Sequence, residues 1–455
     1  MRLVSLLALA LFVTACTTAQ APLTLSAEAA SSRTISDGPI PDGPTRDGPR
    51  NVILMIADGF GPASATLGAG AKGAPLAFDS LLVGGVETSA TDSRVTDSAA
   101  SATAYACGIK TYNGAIGMTT DQRPCRTVLE AADARGMATG LVATSRITHA
   151  TPASFVAHVP QRAQEAEIAE QMVASGLDVL FGGGRTYFTG SADGDRPLTD
   201  DLEAGGWSVA LDGAAFDGLE AAPAAALLAD GHLAYEVDRG ETDQPSLAAM
   251  TARALDLLAG SPQGRANGFF VMVEGSRIDH AGHGNDPVGH LGDILAYDRA
   301  VEVALEWAAR DGNTLVVSTA DHETGGMTLG RDGLYAWDPA PVMAATASYE
   351  AIGTALAAGA DPVETVRVGL GLDALEDGAA EALRRAVTAR DRGLVVEVLN
   401  ALVSEPAGIG WTTGGHTAVD VGLYAFGPGA DLFLGRMVNA DVGRALFAAL
   451  GLEAE

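Results

Sequence analysis

The stretch Asn51-Val52-Ile53-Leu54-Met55-Ile56-Ala57-Asp58-Gly59-Phe60-Gly61 is a continuous apolar run that ends on a carboxylate and two glycines. An apolar run of this length without polar alternation predicts a strand buried on both faces, as in parallel sheets. The pattern returns twice: Phe269-Phe270-Val271-Met272-Val273 leads into Glu274, and Leu315-Val316-Val317-Ser318-Thr319 into Ala320 and Asp321. Further strand-like runs cover 139–143, 179–181 and 422–426, and amphipathic stretches at 127–135, 165–174, 247–258 and 289–310 alternate with them. Such alternation predicts an α/β domain with a largely parallel sheet. Ligands of open α/β sheets bind at the carboxyl ends of strands, so Asp58, Glu274, Asp279 and Asp321 are expected along one edge.

Upstream of this domain, Met1 and Arg2 precede an apolar stretch from Leu3 to Val13, the length of a signal-peptide core and too short to span a bilayer. The expectation is an exported protein, in the periplasm or cell envelope. Val13-Thr14-Ala15-Cys16 resembles the lipobox of bacterial lipoproteins, which would lipidate Cys16 and anchor the chain to a membrane; the alternative, cleavage after Ala21, would leave Pro22 at the cut. Residues 17–50, rich in small residues and repeating Asp-Gly-Pro at Asp37, Asp42 and Asp47, read as a disordered tether. The catalytic domain is then 51–455, interrupted at about 185–244 and 330–410 by insertions, the second read as a cap with helices at 379–389 and 394–403.

The formal net charge of −29 argues against a nucleic-acid-binding surface and against anionic membranes, other than through a lipid anchor. A phosphate site in such a field needs local positive charge, from metal cations and a placed arginine. Lys72 and Lys110 are the only lysines, which disfavours an amine nucleophile. Cys107 and Cys125 read as structural: they either pair in an oxidising compartment or leave Cys107 a buried thiol.

Of the eight histidines, His280, His283, His322 and His416 fall in the strand-end loops beside the carboxylates. Imidazole with carboxylate is zinc chemistry. In Glu274-Gly-Ser-Arg-Ile-Asp279-His280-Ala-Gly-His283 the spacing lets Asp279 and His283 fold onto one ion, and Asp321-His322 supplies two more donors. The nucleophile candidate is Ser98 in Thr96-Asp97-Ser98-Ala99-Ala100-Ser101-Ala102-Thr103-Ala104, where small residues allow a tightly packed helix whose N-terminus faces an anion. Taken alone, Asp97-Ser98 reads as an ordinary N-cap. No Gly-x-Ser-x-Gly elbow is present, so metal activation of Ser98 is expected. His158, His232 and His290 read as lacking a site role, the last two as surface or helix positions.

These motifs resemble those of the alkaline phosphatase family, from Asn51 to about Leu450: Asp58-Gly-Phe-Gly its first metal motif, Val95-Thr-Asp-Ser98-Ala-Ala-Ser-Ala-Thr-Ala its nucleophile segment, and Gly415-His416-Thr its last zinc ligand. The resemblance implies a three-layer α/β/α sandwich and hydrolysis of small-molecule phosphate monoesters through a phosphoserine at Ser98. It implies a first zinc on Asp279, His283 and His416, and a second on Asp58, Asp321 and His322. A magnesium would sit on Asp58, Thr151 and Glu274. Arg162 matches the phosphate-clamping arginine. His149 and His280 stand where other members carry Asp and Lys; His149 is expected to act on the third site through water and His280 to reach the phosphate. That substitution leaves the third metal open between magnesium, cobalt and zinc. A homodimer follows by analogy alone. The rival readings are a phosphodiesterase of the same superfamily and a non-catalytic phosphate- or metal-binding lipoprotein.

Overall fold

A computed structural model describes residues 48–190 and 196–454. The expected signal segment, Cys16 and nearly all of the expected tether lie outside the described residues. Ten strands form one sheet. They are β1 (Asn51–Ile56), β2 (Leu82–Glu87), β3 (Ala138–Arg146), β4 (Val179–Gly183), β5 (Ser208–Ala210), β6 (Ala224–Leu227), β7 (Phe269–Glu274), β8 (Thr314–Thr319), β9 (Val421–Phe426) and β10 (Gly435–Val438). Their spatial order is β10-β2-β9-β8-β1-β7-β3-β4-β6-β5. Only β9 runs antiparallel to its neighbours, so the sheet is mostly parallel as expected.

The three runs that end in carboxylates are neighbours in register. Ile56 lies opposite Glu274 on one side and opposite Thr319 on the other. All three strands are parallel, so Asp58, Glu274 and Asp321 emerge together at their carboxyl ends. Every residue of β1, β7 and β8 is buried, which explains their continuous apolar sequence.

Five helices position the site: α1 (Ser98–Cys107), α2 (Ala150–Ala153), α3 (Arg277–His283), α4 (Pro287–Asp311) and α5 (Asn439–Ala449). All ten residues of α1 are buried, which Ala, Ser and Thr side chains permit. Its partner α5 approaches so closely that a Cβ at Gly443 would lie 2.4 Å from the Ala104 carbonyl oxygen. α4 starts with Asp286 as N-cap and Pro287 in the first turn, and ends at Gly312 in the left-handed conformation.

The region 185–244, expected as an insertion decorating the core, instead contributes β5 and β6 to one edge of the main sheet. Ala224-Ala-Ala-Leu227 is short and has no β-branched residue, so its strand character comes from pairing with β4 rather than from its own propensity. Residues 330–410 are mainly helical, with helices at Tyr349–Ala357, Asp377–Ala389 and Arg392–Leu402 among others, in keeping with the two helices expected there. Cys107 and Cys125 are joined in a disulfide. Among the described residues no helix is long and apolar enough to cross a membrane.

Candidate metal centre and active site

Beyond β1 the chain turns at Gly59, whose φ of +77° suits glycine and where a Cβ would lie 2.6 Å from the Asp279 Cα. This close approach sets the β1 loop directly on α3. Asp279 and His283, four residues apart, share one face of α3. Across from them His416 completes a first group. His283 Nε2 and His416 Nε2 are 3.1 Å apart, with Asp279 oxygens 3.4 and 3.5 Å away. Each ring is oriented from behind, since His283 Nδ1 donates to the Gly414 carbonyl at 2.7 Å and His416 Nδ1 to the Thr96 carbonyl at 2.8 Å. Those bonds leave both Nε2 lone pairs pointing at a common centre.

The second group is Asp58, Asp321 and His322, all fully buried. His322 Nε2 lies 3.1 Å from Asp321 Oδ2, 3.6 Å from Asp58 Oδ1 and 3.2 Å from Ser98 Oγ. Thr324 fixes the tautomer: its hydroxyl donates to Asp279 Oδ1 at 2.5 Å and so accepts from His322 Nδ1 at 3.2 Å. Asp321 Oδ1 accepts from the backbone of Gly59 (3.2 Å) and of His322 (3.0 Å). Ser98 is the first residue of α1, and Asp97 caps that helix through the Ala100 N–H at 2.9 Å. The imidazoles of His322 and His416 stack with centroids 3.5 Å apart, so the two groups adjoin.

The third group is Asp58, His149 and Glu274, with the Thr151 hydroxyl 3.4 Å from Asp58 Oδ2. His149 was expected to act here through water. A ring nitrogen of His149 lies within 4.8 Å of carboxylate oxygens of both acids, so the geometry also admits direct ligation.

Charge is concentrated here. Burial, then Asp321, Asp279 and Glu274, hold the Asp58 carboxyl well above its ordinary value. Burial pushes Glu274 up to about 7. Asp58 Oδ1 and Glu274 Oε1 are buried without a hydrogen-bond partner, a costly state for a carboxylate. Cations would remove that cost, and carboxylate and imidazole donors are the right types for zinc, with an oxygen-rich third position for a harder ion. The residues therefore fit the metals that the resemblance implies.

Arg162 reaches the site from the loop after α2. Its Nη1 donates to Asp97 Oδ2 at 3.1 Å and its Nη2 to His149 Nε2 at 2.9 Å. His280 lies beside His149, centroids 5.5 Å apart, with Nδ1 buried and unpartnered. Burial, with Arg162 next, holds His149 well below its ordinary pKa, and burial with His232 next does the same for His280.

The predicted site residues among the described ones converge; Cys16 lies outside them. Three contributors were missed. Asp97 is more than an N-cap, because its second oxygen holds Arg162. Thr324 orients Asp279 and His322, one side chain from each of the first two groups. His232, expected at the surface or in a helix, is instead largely buried in a loop, its ring 4.3 Å from His280 and its Nδ1 accepting from the Arg146 N–H at 3.1 Å. Burial and Arg146 push it down to about 3. The Asp-Ser and Glu-Thr pairs around Ser98 and Thr324 carried some signal; His232 carried none. His290 does lie in a helix but is fully buried, bonded to Ser64 Oγ and the Ile278 carbonyl. His158 links the Gly117 carbonyl to Glu130 and has no part in the site.

A mostly parallel α/β sheet with three groups able to hold a metal ion and a serine at a buried helix start has the make-up of a metal-binding hydrolase of the phosphate-transfer kind. The family model for alkaline phosphatase matches residues 49–452, and the chain belongs to that family. Alkaline phosphatase 3 of Bacillus subtilis is 38% identical over 418 residues, covering 88% of this chain and 89% of the relative. The crystal structure of the cold-active enzyme of Shewanella sp. superposes with a TM-score of 0.81 at 36% identity, over 88% of this chain and 99% of that one. A mutant of the TAB5 alkaline phosphatase, 31% identical with a TM-score of 0.66 over 90% of this chain and 99% of that one, has Mg bound in its M3 site. The activity is accordingly that of an alkaline phosphatase.

Proposed function

We propose that the enzyme hydrolyses small-molecule phosphate monoesters to alcohol and inorganic phosphate through a phosphoserine at Ser98, in a site holding two zinc ions and one magnesium. The observation that carries this reading is Ser98 Oγ 3.2 Å from His322 Nε2, inside a buried ligand group and at the first position of α1. Asp279, His283 and His416 would hold one zinc, Asp58, Asp321 and His322 with Ser98 the other, and Asp58, Thr151 and Glu274 the magnesium. When bound, such ions supply Lewis-acid stabilisation of the attacking and leaving oxygens.

The chain's own residues do the rest. Ser98 Oγ passes its proton to solvent and attacks phosphorus in line, the ester P–O bond breaks, and the ester oxygen leaves with its carbon group and takes a proton from solvent to become the alcohol. Free N–H groups at the start of α1 face the phosphoryl oxygens. Arg162, with its guanidinium steadied by Asp97, can take two non-bridging oxygens at once. A diester has one of those oxygens substituted, so this clamp favours monoesters. His280 would meet the phosphate from the side of His149. Water then attacks the phosphoserine and gives up a proton, the bond between phosphorus and Ser98 Oγ breaks, and Oγ takes up a proton as phosphate departs.

Ser98→Ala should abolish acid-stable labelling of the protein by phosphate and leave metal content near the parent's. Unchanged turnover would refute the mechanism, and a clear preference for an aryl diester over an aryl monoester would favour the diesterase reading. Export and lipid anchoring through Cys16 belong to the same proposal, resting on the apolar run from Leu3 to Val13 and the lipobox-like Val13-Thr14-Ala15-Cys16.

A further inference from the structure

The Cys107–Cys125 bridge is used by nothing in the reaction, yet one of its ends is the last residue of α1, the helix that begins at Ser98. The segment it closes, residues 108–124, comes back to the beginning of that helix. There Asn113 Oδ1 accepts from the Asp97 N–H at 2.9 Å, and Asn113 Nδ2 donates to the Val95 carbonyl at 3.1 Å. The Gly114 N–H donates to Asp97 Oδ2 at 3.0 Å, and the Gly114 carbonyl accepts from the Arg162 N–H at 2.8 Å. Two more ties follow: Ile116 and Val159 exchange backbone hydrogen bonds, and the Tyr112 hydroxyl donates to the Pro160 carbonyl at 3.1 Å. The strap thus holds Arg162 by its backbone and, through Asp97 Oδ2, by its guanidinium.

We propose that this disulfide-closed strap sets the grip of Arg162 on phosphate, with Asn113 as its positioning residue, and that the grip loosens when the disulfide is reduced. The inference rests on the reading of Arg162 as the phosphate clamp. Asp97 divides its carboxylate between the cap of α1 and Arg162. Without Asn113 and the Gly114 N–H, the Asp97 backbone and its Oδ2 lose the partners that hold them still. An arginine without a fixed partner regains rotamer freedom that phosphate must then remove on binding. The strap's bonds named above end on Val95, Asp97, Val159, Pro160 and Arg162, none on a metal-ligand side chain. Binding should therefore suffer more than the chemical step. Reduction takes two electrons from the phosphine and two protons from water, whose oxygen ends in the phosphine oxide as the S–S bond breaks and two thiols form.

The test compares the metal-loaded enzyme before and after phosphine reduction at fixed free zinc and magnesium, with thiols counted after unfolding, alongside Asn113→Ala, Cys125→Ser and Arg162→Ala. Calorimetry gives the Kd of inorganic phosphate, and an aryl monoester gives KM and kcat, all well below the melting temperatures. Losing a hydrogen bond of this kind predicts a rise of about five- to tenfold in Kd and KM for Asn113→Ala, with kcat within about twofold. Reduction and Cys125→Ser should shift both in the same direction. A bridge that only stabilises the fold would lower the melting temperature and leave Kd unmoved, which overturns the proposal. So does a fall in kcat at constant KM. If Asn113→Ala does not fold, the reduced parent decides by the same criteria. Arg162→Ala separates the two readings: weakened phosphate binding there with none from the strap changes removes only this inference, whereas unaltered binding in Arg162→Ala removes the clamp itself.

Discussion

Asp293 sits in α4, 4% exposed, with Oδ2 accepting from the Glu236 N–H at 3.1 Å. Burial pushes its carboxyl from 3.8 up to about 7, against the pull of the Glu236 N–H and of Arg277. A proton is held more tightly in the folded chain than in the unfolded one, so folding takes up protons between those two values. Stability from this group is full below about 3.8 and is lost as pH rises to about 7, where the loss levels off. A difference of that size corresponds to about 4 kcal/mol at most. Asp293→Asn keeps the shape and an acceptor for Glu236 but never has to bury a charge. The variant should be about 2 to 4 kcal/mol more stable than the parent at pH 8.5, the lower figure allowing for lost attraction to Arg277, and within about 1 kcal/mol at pH 4.5. Scanning calorimetry at saturating metal across that range gives the difference, and metal linkage cancels because both proteins carry the same site. For a chain of this length the melting temperatures should separate by on the order of 1 °C per kcal/mol. A separation independent of pH, or a variant less stable at pH 8.5, would refute the argument that burial governs this carboxyl.

Two other outcomes are expected. Exhaustive chelation should abolish phosphatase activity and lower the melting temperature, because Asp58, Glu274 and Asp321 are left crowded and under-partnered in the interior, and zinc with magnesium should restore both. Full turnover by protein shown free of metal would disprove it. Gly443→Ala should cost about 1 to 3 kcal/mol and reduce kcat, since the new Cβ meets the Ala104 oxygen at 2.4 Å and the Gly108 nitrogen at 2.8 Å and must push α5 off the helix that carries Ser98. A variant with the parent's melting temperature and kcat would show that this packing is slack.

The central strands and the ligand types were legible because both are local properties. β1, β7 and β8 are buried on both faces, so their apolar runs have no alternation to confuse them, and the carboxylates follow within a residue or two of each run. His283 and Asp279 needed only their close spacing in one loop-like stretch, which the structure shows as a helix. The edge strands were not legible for the opposite reason. Leu82–Glu87 carries two glycines and Ala224–Leu227 is nearly all alanine, and neither has strand character until a neighbour supplies the ladder. Region 185–244 for that reason read as an insertion.

What the sequence by itself determined is the inventory: an α/β chain with carboxylates at three strand ends, imidazoles near them and a serine at a helix start. Tertiary structure decided the company each keeps. The order β8-β1-β7 brings Asp58 between Glu274 and Asp321; a strap closed by Cys107–Cys125 turns Asp97 from a cap into a support for Arg162; and His232, read as a surface or helix position, packs on His280. Contacts between residues tens to hundreds of positions apart depend on strand order and loop path, and hydrophobic periodicity carries no record of either.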